Sequence, residues 1–190
     1  MIGIQTKLLY TKLFMKKSSI TKMPAFFDRY IHLVDDVDLL EALRMYHPTS
    51  VFADLDKLNA LNQNVYLPGK WTVRTILQHL IDTERIMNYR ALRFARKDTT
   101  LLPGFDEDFF AKNSAAEERS IEELLQEYAL VRESTLALFG SFTDTMLKQK
   151  GETFVGSITV LAVGFMIVGH GLHHRKVLNE RYLPLLKEEK

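Results

Sequence analysis

Apolar residues recur at intervals of three and four along most of this chain, and few stretches alternate with period two. Phe26 to Leu43 reads in this way as a helix. His47-Pro-Thr-Ser50 interrupts it, and Pro48 or Ser50 suits the first turn of a helix over Val51 to Leu61. Asn62 to Lys70, with Leu67-Pro-Gly-Lys70, reads as a loop, after which Thr72 is placed to cap a long helix ending near Arg96. Asp98 to Lys112 is a second loop, holding Pro103-Gly104 and the cluster Phe105-Asp-Glu-Asp-Phe-Phe110. Its length suggests a lid more than a joint. Ser120-Ile-Glu-Glu123 has the form of a capping box, opening a helix with Leu124, Leu125, Tyr128, Val131, Leu136 and Leu138 on its apolar side. Thr143 to Gly156 is a further connection, and Ser157 begins a last long helix that stops before Pro184. Four substantial helices joined by loops predict an all-α fold, a four-helix bundle.

Thr153 to His174 carries no formal charge, which raises the question of a membrane span. Its purely apolar part, Ile158 to Gly169, is 12 residues long, well short of the roughly 20 that a spanning helix needs. A helix buried on all sides in a bundle has the same composition, and that is the expectation here.

With 46% hydrophobic and 26% charged residues in 190, the chain has the make-up of one globular domain. A formal net charge of +1 gives no sign of a nucleic-acid partner, and no basic stripe is interleaved with aromatics. The absence of cysteine excludes disulfides, thiolate-bound zinc, iron–sulfur clusters and a cysteine nucleophile, and suits a cytoplasmic protein. Residues 1–23 differ from the rest. Lys7, Lys12, Lys16, Lys17 and Lys22 interrupt every apolar run, so a signal peptide does not fit. They are read as a lysine-rich leader outside the core, with a start at Met15 or Met23 as one explanation, and residues 24–190 as the helical domain. No membrane partner is expected.

Candidate chemistry centres on His170-Gly-Leu-His173-His174 and on His79. His170 and His174 stand four apart in a helical segment, so both imidazoles share one face a turn apart. If the helix carrying His79 packs beside them, three neutral nitrogens meet and leave a coordination position for water or a thiolate. Spacing alone leaves the ordinary alternatives open: an accidental surface pair and a core histidine bound to a carbonyl. His173 points about 100° away from His174 around the helix, which makes it the weaker candidate. His32 and His47 have no partner at ligand spacing.

His170, His174 and Arg181 fall in a wedge of roughly 40°, and His79, Thr83, Ile86 and Arg90 in one of roughly 60°. Arg90 and Arg181 are therefore candidate anchors for an anionic substrate or thiol, against the alternative that each reaches solvent or a helix end. Asp82, one turn from His79, is placed to orient it. Glu84 points elsewhere, and a buried pair with an arginine such as Arg132 is expected of it. Gly164, Gly169 and Gly171 inside a helix suit a close approach by a neighbour.

These features together resemble the DinB-like superfamily, in the branch related to YfiT and the thiol-dependent transferases. The matching residues are Pro68-Gly-Lys-Trp71, Ile76-Leu-Gln-His79-Leu-Ile-Asp-Thr-Glu-Arg85, Tyr89-Arg90, Leu102-Pro-Gly-Phe-Asp106, and Gly169-His-Gly-Leu-His-His-Arg175 followed by Leu178 and Glu180-Arg-Tyr182. The likeness spans Tyr30 to Leu183. It implies an up-down-down-up bundle with a divalent metal on His79, His170 and His174, commonly as a homodimer. It also implies metal-dependent hydrolysis, or transfer using a low-molecular-weight thiol, on a small-molecule substrate. A structural or metal-sensing ion in a non-catalytic module is the alternative. Three histidines leave zinc, nickel, iron and manganese open, with zinc and nickel first. No motif hands over a general base; Asp106, Glu107, Asp108 or Glu152 could supply one from the loops with nothing to select among them, and solvated loop acids are the simpler reading of all four.

Overall fold

The computed structural model describes residues 15–153 and 156–187. Four short helices come first: α1 (Asp28–Ile31), α2 (Leu39–Met45), α3 (Pro48–Val51) and α4 (Leu55–Leu61). After them run α5 (Val73–Ala95), α6 (Glu107–Lys112), α7 (Ile121–Gly140) and α8 (Asp144–Leu147). A hairpin of β1 (Lys150–Thr153) and β2 (Gly156–Thr159) then leads into α9 (Val160–Val177). Helix starts sit where polar side chains take up free backbone amides. Thr72 accepts from the Thr75 amide at the head of α5, and Thr159 from that of Ala162 at the head of α9. Ser120 and Glu123 form the reciprocal capping box of α7.

Side-chain pairings give the direction of each helix. Gln78 meets Arg119, Arg85 meets Glu127 and Asn88 meets Thr135, so α5 and α7 run parallel, as the long connection between them allows. Tyr182 meets Trp71 and His174 lies against His79, so α9 runs antiparallel to α5. Leu43 and Tyr46 meet Arg132 while Phe52 meets Tyr128, so the broken helix α2–α3 opposes α7. The result is an up-down-down-up four-helix bundle built on α2–α3, α5, α7 and α9.

α9 occupies the middle. Every residue from Val160 to Gly171 is buried, which accounts for its uncharged composition. Among the described residues no helix is long and apolar enough to cross a membrane. Gly169 shows why a helix so placed contains glycine: a Cβ there would stand 2.0 Å from the Tyr30 carbonyl oxygen, so α1 lies directly on the α9 backbone.

Glu84 and Arg132 are 2% and 1% exposed and form the expected buried pair. Arg132 donates from Nε and Nη2 to the two carboxylate oxygens, each at 2.9 Å, and the Thr135 hydroxyl donates to the same carboxylate at 2.6 Å. The remaining Nη1 donates to the Leu43 and Tyr46 carbonyls, binding α2 to α5 and α7. Burial by itself would lower the arginine pKa; the facing carboxylate more than reverses this and holds it raised.

Several expected boundaries move. Phe26 to Leu43 is not one helix, because Asp36 and Asp38 turn to cap backbone instead. Asp36 accepts from the Ser18 amide and Asp38 from the amides of Met15 and Leu40. Those contacts carry the chain from Met15 onward onto the bundle, where Met15 and Ile20 are buried. Among the described residues the core already includes Met15 and Ile20, ahead of the expected boundary at residue 24; residues 1–14 of the leader lie outside the described residues. The connection before α9 holds the hairpin, whose four-residue strands are too short for a visible period-two pattern. Its Gly151 lets the strand sit on the Phe94 ring at the end of α5. α9 starts at Val160, not Ser157, and irregular helical turns over Leu178–Tyr182 and Leu183–Lys187 continue past Pro184.

Removing one member of a buried pair strands the other in a dry interior. Arg132→Met is expected to lower unfolding free energy by about 3–5 kcal/mol in urea titration. A loss below about 1 kcal/mol would show that the pair is not what holds α2 to α5 and α7.

Candidate metal centre

The straight run of α5 and α9 past one another brings together three residues far apart in sequence. His79 faces inward from the second turn of α5, and His170 and His174 face it from consecutive turns of α9. His170 Nε2 lies 3.2 Å from the Nε2 atoms of both His79 and His174. One ligand atom from each of the three lies within 4.8 Å of the others, and among the described residues they form the one such metal-type cluster. Nitrogens bound to a common divalent ion at about 2.0–2.1 Å are separated by about 3.0–3.4 Å, so the spacing suits a shared ion.

The chemistry of the donor set agrees. Each Nε2 presents either one hydrogen or one in-plane lone pair. A single His170 nitrogen cannot be well satisfied by two imidazole neighbours, whereas one cation between them takes all three lone pairs. Burial holds the rings neutral, as ligands must be. It pushes His79 down to about 4, His174 down to about 3 and His170 well below its usual value, with the neighbouring histidines adding to the effect on His170 and His174. His174 Nδ1 is buried with no hydrogen-bond partner.

Aromatic rings fix the imidazoles. Trp71 lies 4.8 Å from His79, and Tyr30 lies edge-on to His170 at 5.1 Å and to His173 at 5.2 Å. Trp71 is held in turn by Tyr182, whose hydroxyl donates to its carbonyl at 2.6 Å. On one side the cluster opens into a cavity of about 300 Å³ that His174 lines together with Lys70, Trp71, Asp108, Tyr66 and Tyr182.

A model of the DinB superfamily matches residues 28–178. The chain belongs to the DinB superfamily. Among solved structures it is similar to YfiT from Bacillus subtilis, with a TM-score of 0.65 and 19% identity over 84% of this chain and 87% of that one. YfiT is described as a probable metal-dependent hydrolase with an unusual four-helix bundle topology. At that identity the likeness is one of fold. A search of curated proteins gave no match.

Other residues singled out in the sequence are placed as follows in this DinB bundle. His173 lies on Tyr30 outside the cluster. Asp82 does not orient His79; it accepts from the Gln78 amide, whose oxygen is taken by Arg119. Arg90 is buried, and its Nη2 donates to the Pro103 carbonyl at 2.8 Å, securing the loop before α6. Arg181 is exposed and stacks over Tyr66 at 5.3 Å. Neither arginine lines the cavity. Asp106 caps α6, Glu107 neighbours Arg29, and Glu152 sits in the hairpin near the opposite end of α5. Asp108 alone of the four acids lines the cavity, and its charge works on His79 in the direction that favours protonation. Lys70, Trp71 and Tyr30 were not singled out for the site. Their nearest signal was the Pro68-Gly-Lys-Trp71 motif and the aromatic content of the segments flanking the histidines.

The depressed histidines make stability pH-dependent in metal-stripped protein. Below the ordinary histidine value of 6.5 the unfolded chain takes up protons that folded His79 and His174 refuse until about pH 4 and 3. Stability in chelator is therefore expected to be full above pH 6.5 and to fall as pH drops from there toward 4. A His79→Gln/His174→Gln double variant should show a shallower fall in urea midpoints over that range. Equal slopes would mean that the rings are solvated.

Proposed function

We propose that this protein is a metal-dependent enzyme of the hydrolase or thiol-transferase type, with His79, His170 and His174 as the ligands of a divalent ion. The observation that carries this reading is the convergence of three neutral imidazole nitrogens from two helices beside a cavity that His174 lines. A closed structural site would be expected to supply a fourth protein ligand. Here no other histidine or acid joins the cluster among the described residues. The description of YfiT as a probable metal-dependent hydrolase supports the same class. When bound, a divalent ion supplies Lewis acidity that lowers the pKa of a coordinated water or thiol.

The protein's own groups account for the rest. Trp71 and Tyr30 hold the imidazoles in orientation and keep bulk water from their outer faces. Asp108 is the carboxylate placed to accept a proton from a nucleophile in the cavity, and α6 brings it there. The loop carrying α6 is secured by Arg90 on Pro103 and by Arg93 on Asp98. Asp108→Asn is expected to lower kcat by about 10²–10⁴-fold with little effect on metal content.

A second reading, a structural or metal-sensing ion, is favoured by one observation: the ligands join α5 to α9 in the centre of the fold. Cobalt(II) substitution separates the two. An open site predicts that azide or a small thiol changes the visible absorption spectrum of the cobalt protein. A spectrum unmoved by either would mean a closed site and overturn the enzyme reading.

A further inference from the structure

The cavity above His174 has two charged residues on its lining, Lys70 and Asp108. Neither forms an ion pair or a side-chain hydrogen bond among the described residues. The two free charges have different neighbours. Asp108 acts electrostatically on His79, at the reacting end. Lys70 precedes Trp71 on the loop wall and is exposed. Between the two ends the walls are Tyr66, Trp71, Tyr182, Ile76 and Val177, aromatic and branched surfaces suited to a flat or compact apolar body. At about 300 Å³ the space is at the small end of ligand pockets.

We infer that this cavity takes a small organic carboxylate with a short aromatic or branched apolar body, and that Lys70 is the anchor of its charge. The inference rests on the reading of the cavity as the substrate side of the histidine centre. Polarity along the cavity sets the pose: the carboxylate lies at the Lys70 rim, the body along Trp71 and Tyr66, and the group to be transformed near His174 and Asp108. A second negative charge near His79 would meet Asp108 and be disfavoured. A cationic ligand would find the one acid of the lining at the reacting end and Lys70 where its charge would have to lie, the wrong way round for this pose.

Trp71 is the single tryptophan of the chain and lines the cavity, so its fluorescence reports occupancy directly. Phenylacetate, phenylacetamide and phenethylamine differ in charge while keeping the same body. Titration of wild-type protein, both stripped with chelator and loaded with zinc, is expected to show phenylacetate binding at least about fivefold tighter than the amide. In the same titrations the amine is expected to bind most weakly. Lys70→Met should bring phenylacetate to the level of the amide, Lys70→Arg should keep the preference, and both variants should retain the wild-type far-ultraviolet dichroism. Equal binding of acid and amide, or tighter binding of the amine, would overturn the assignment. So would a carboxylate preference that appears only with zinc and survives Lys70→Met, because the ion would then be the anchor; the metal centre would stand. Failure of zinc to bind, with the Lys70-dependent preference intact in the stripped protein, would instead overturn the metal reading and leave the anion site.

Discussion

The buried Glu84–Arg132 pair is the constraint on which the arrangement depends. A bidentate ion pair in a dry interior has one good geometry, and here it must also satisfy Thr135 and two carbonyls of α2. That fixes α5 beside α7 in parallel and sets the rotation of α5 about its axis. With Glu84 turned toward α7, His79 is turned toward α9. The electrostatic tie on one face of α5 thus aims the ligand on another. Stability and site geometry are coupled through a single helix.

The cluster is built on the rigid part of the molecule and the rest of the cavity on the less regular part. His79, His170 and His174 come from the two long helices at the centre of the bundle. Lys70, Tyr66 and Asp108 come from the loop before α5 and from the short α6, where exposed and half-buried residues predominate. Such a division lets the ligand geometry stay fixed while the cavity varies in what it admits. Among the described residues no carboxylate is hydrogen-bonded to any of the three histidines, and the buried Nδ1 of His174 has no partner, so the carboxylate partners common around metal-bound imidazoles are missing.

Much of the fold was legible because its signals are local. Thr72 and the Ser120–Glu123 capping box carry their meaning within a few residues and stand where they were read, and the uncharged run expected to be a buried helix is α9, though that helix starts at Val160 and not at Ser157. The candidate triad needed more than spacing: the i, i+4 pair and a third histidine on another helix were visible, but their meeting across 91 residues stayed open on spacing and was favoured by the resemblance. What stayed hidden depends on tertiary contact. Asp36 and Asp38 break the first helix only because Met15 and Ser18 offer them amides. The hairpin is too short to show a period, and lies where it does because Gly151 accepts the Phe94 ring. Asp108 could not be told from the three other candidate acids until α6 was seen to carry it to the cavity.

The account's central claim is that three imidazoles hold one divalent ion. Elemental analysis of untagged protein purified without added metal, compared with His79→Ala, tests it most directly. The account predicts near-stoichiometric zinc, nickel, iron or manganese in the wild type and its loss in the variant, with the helical fold retained. No metal in either protein, and no uptake on titration of the wild type, would contradict it.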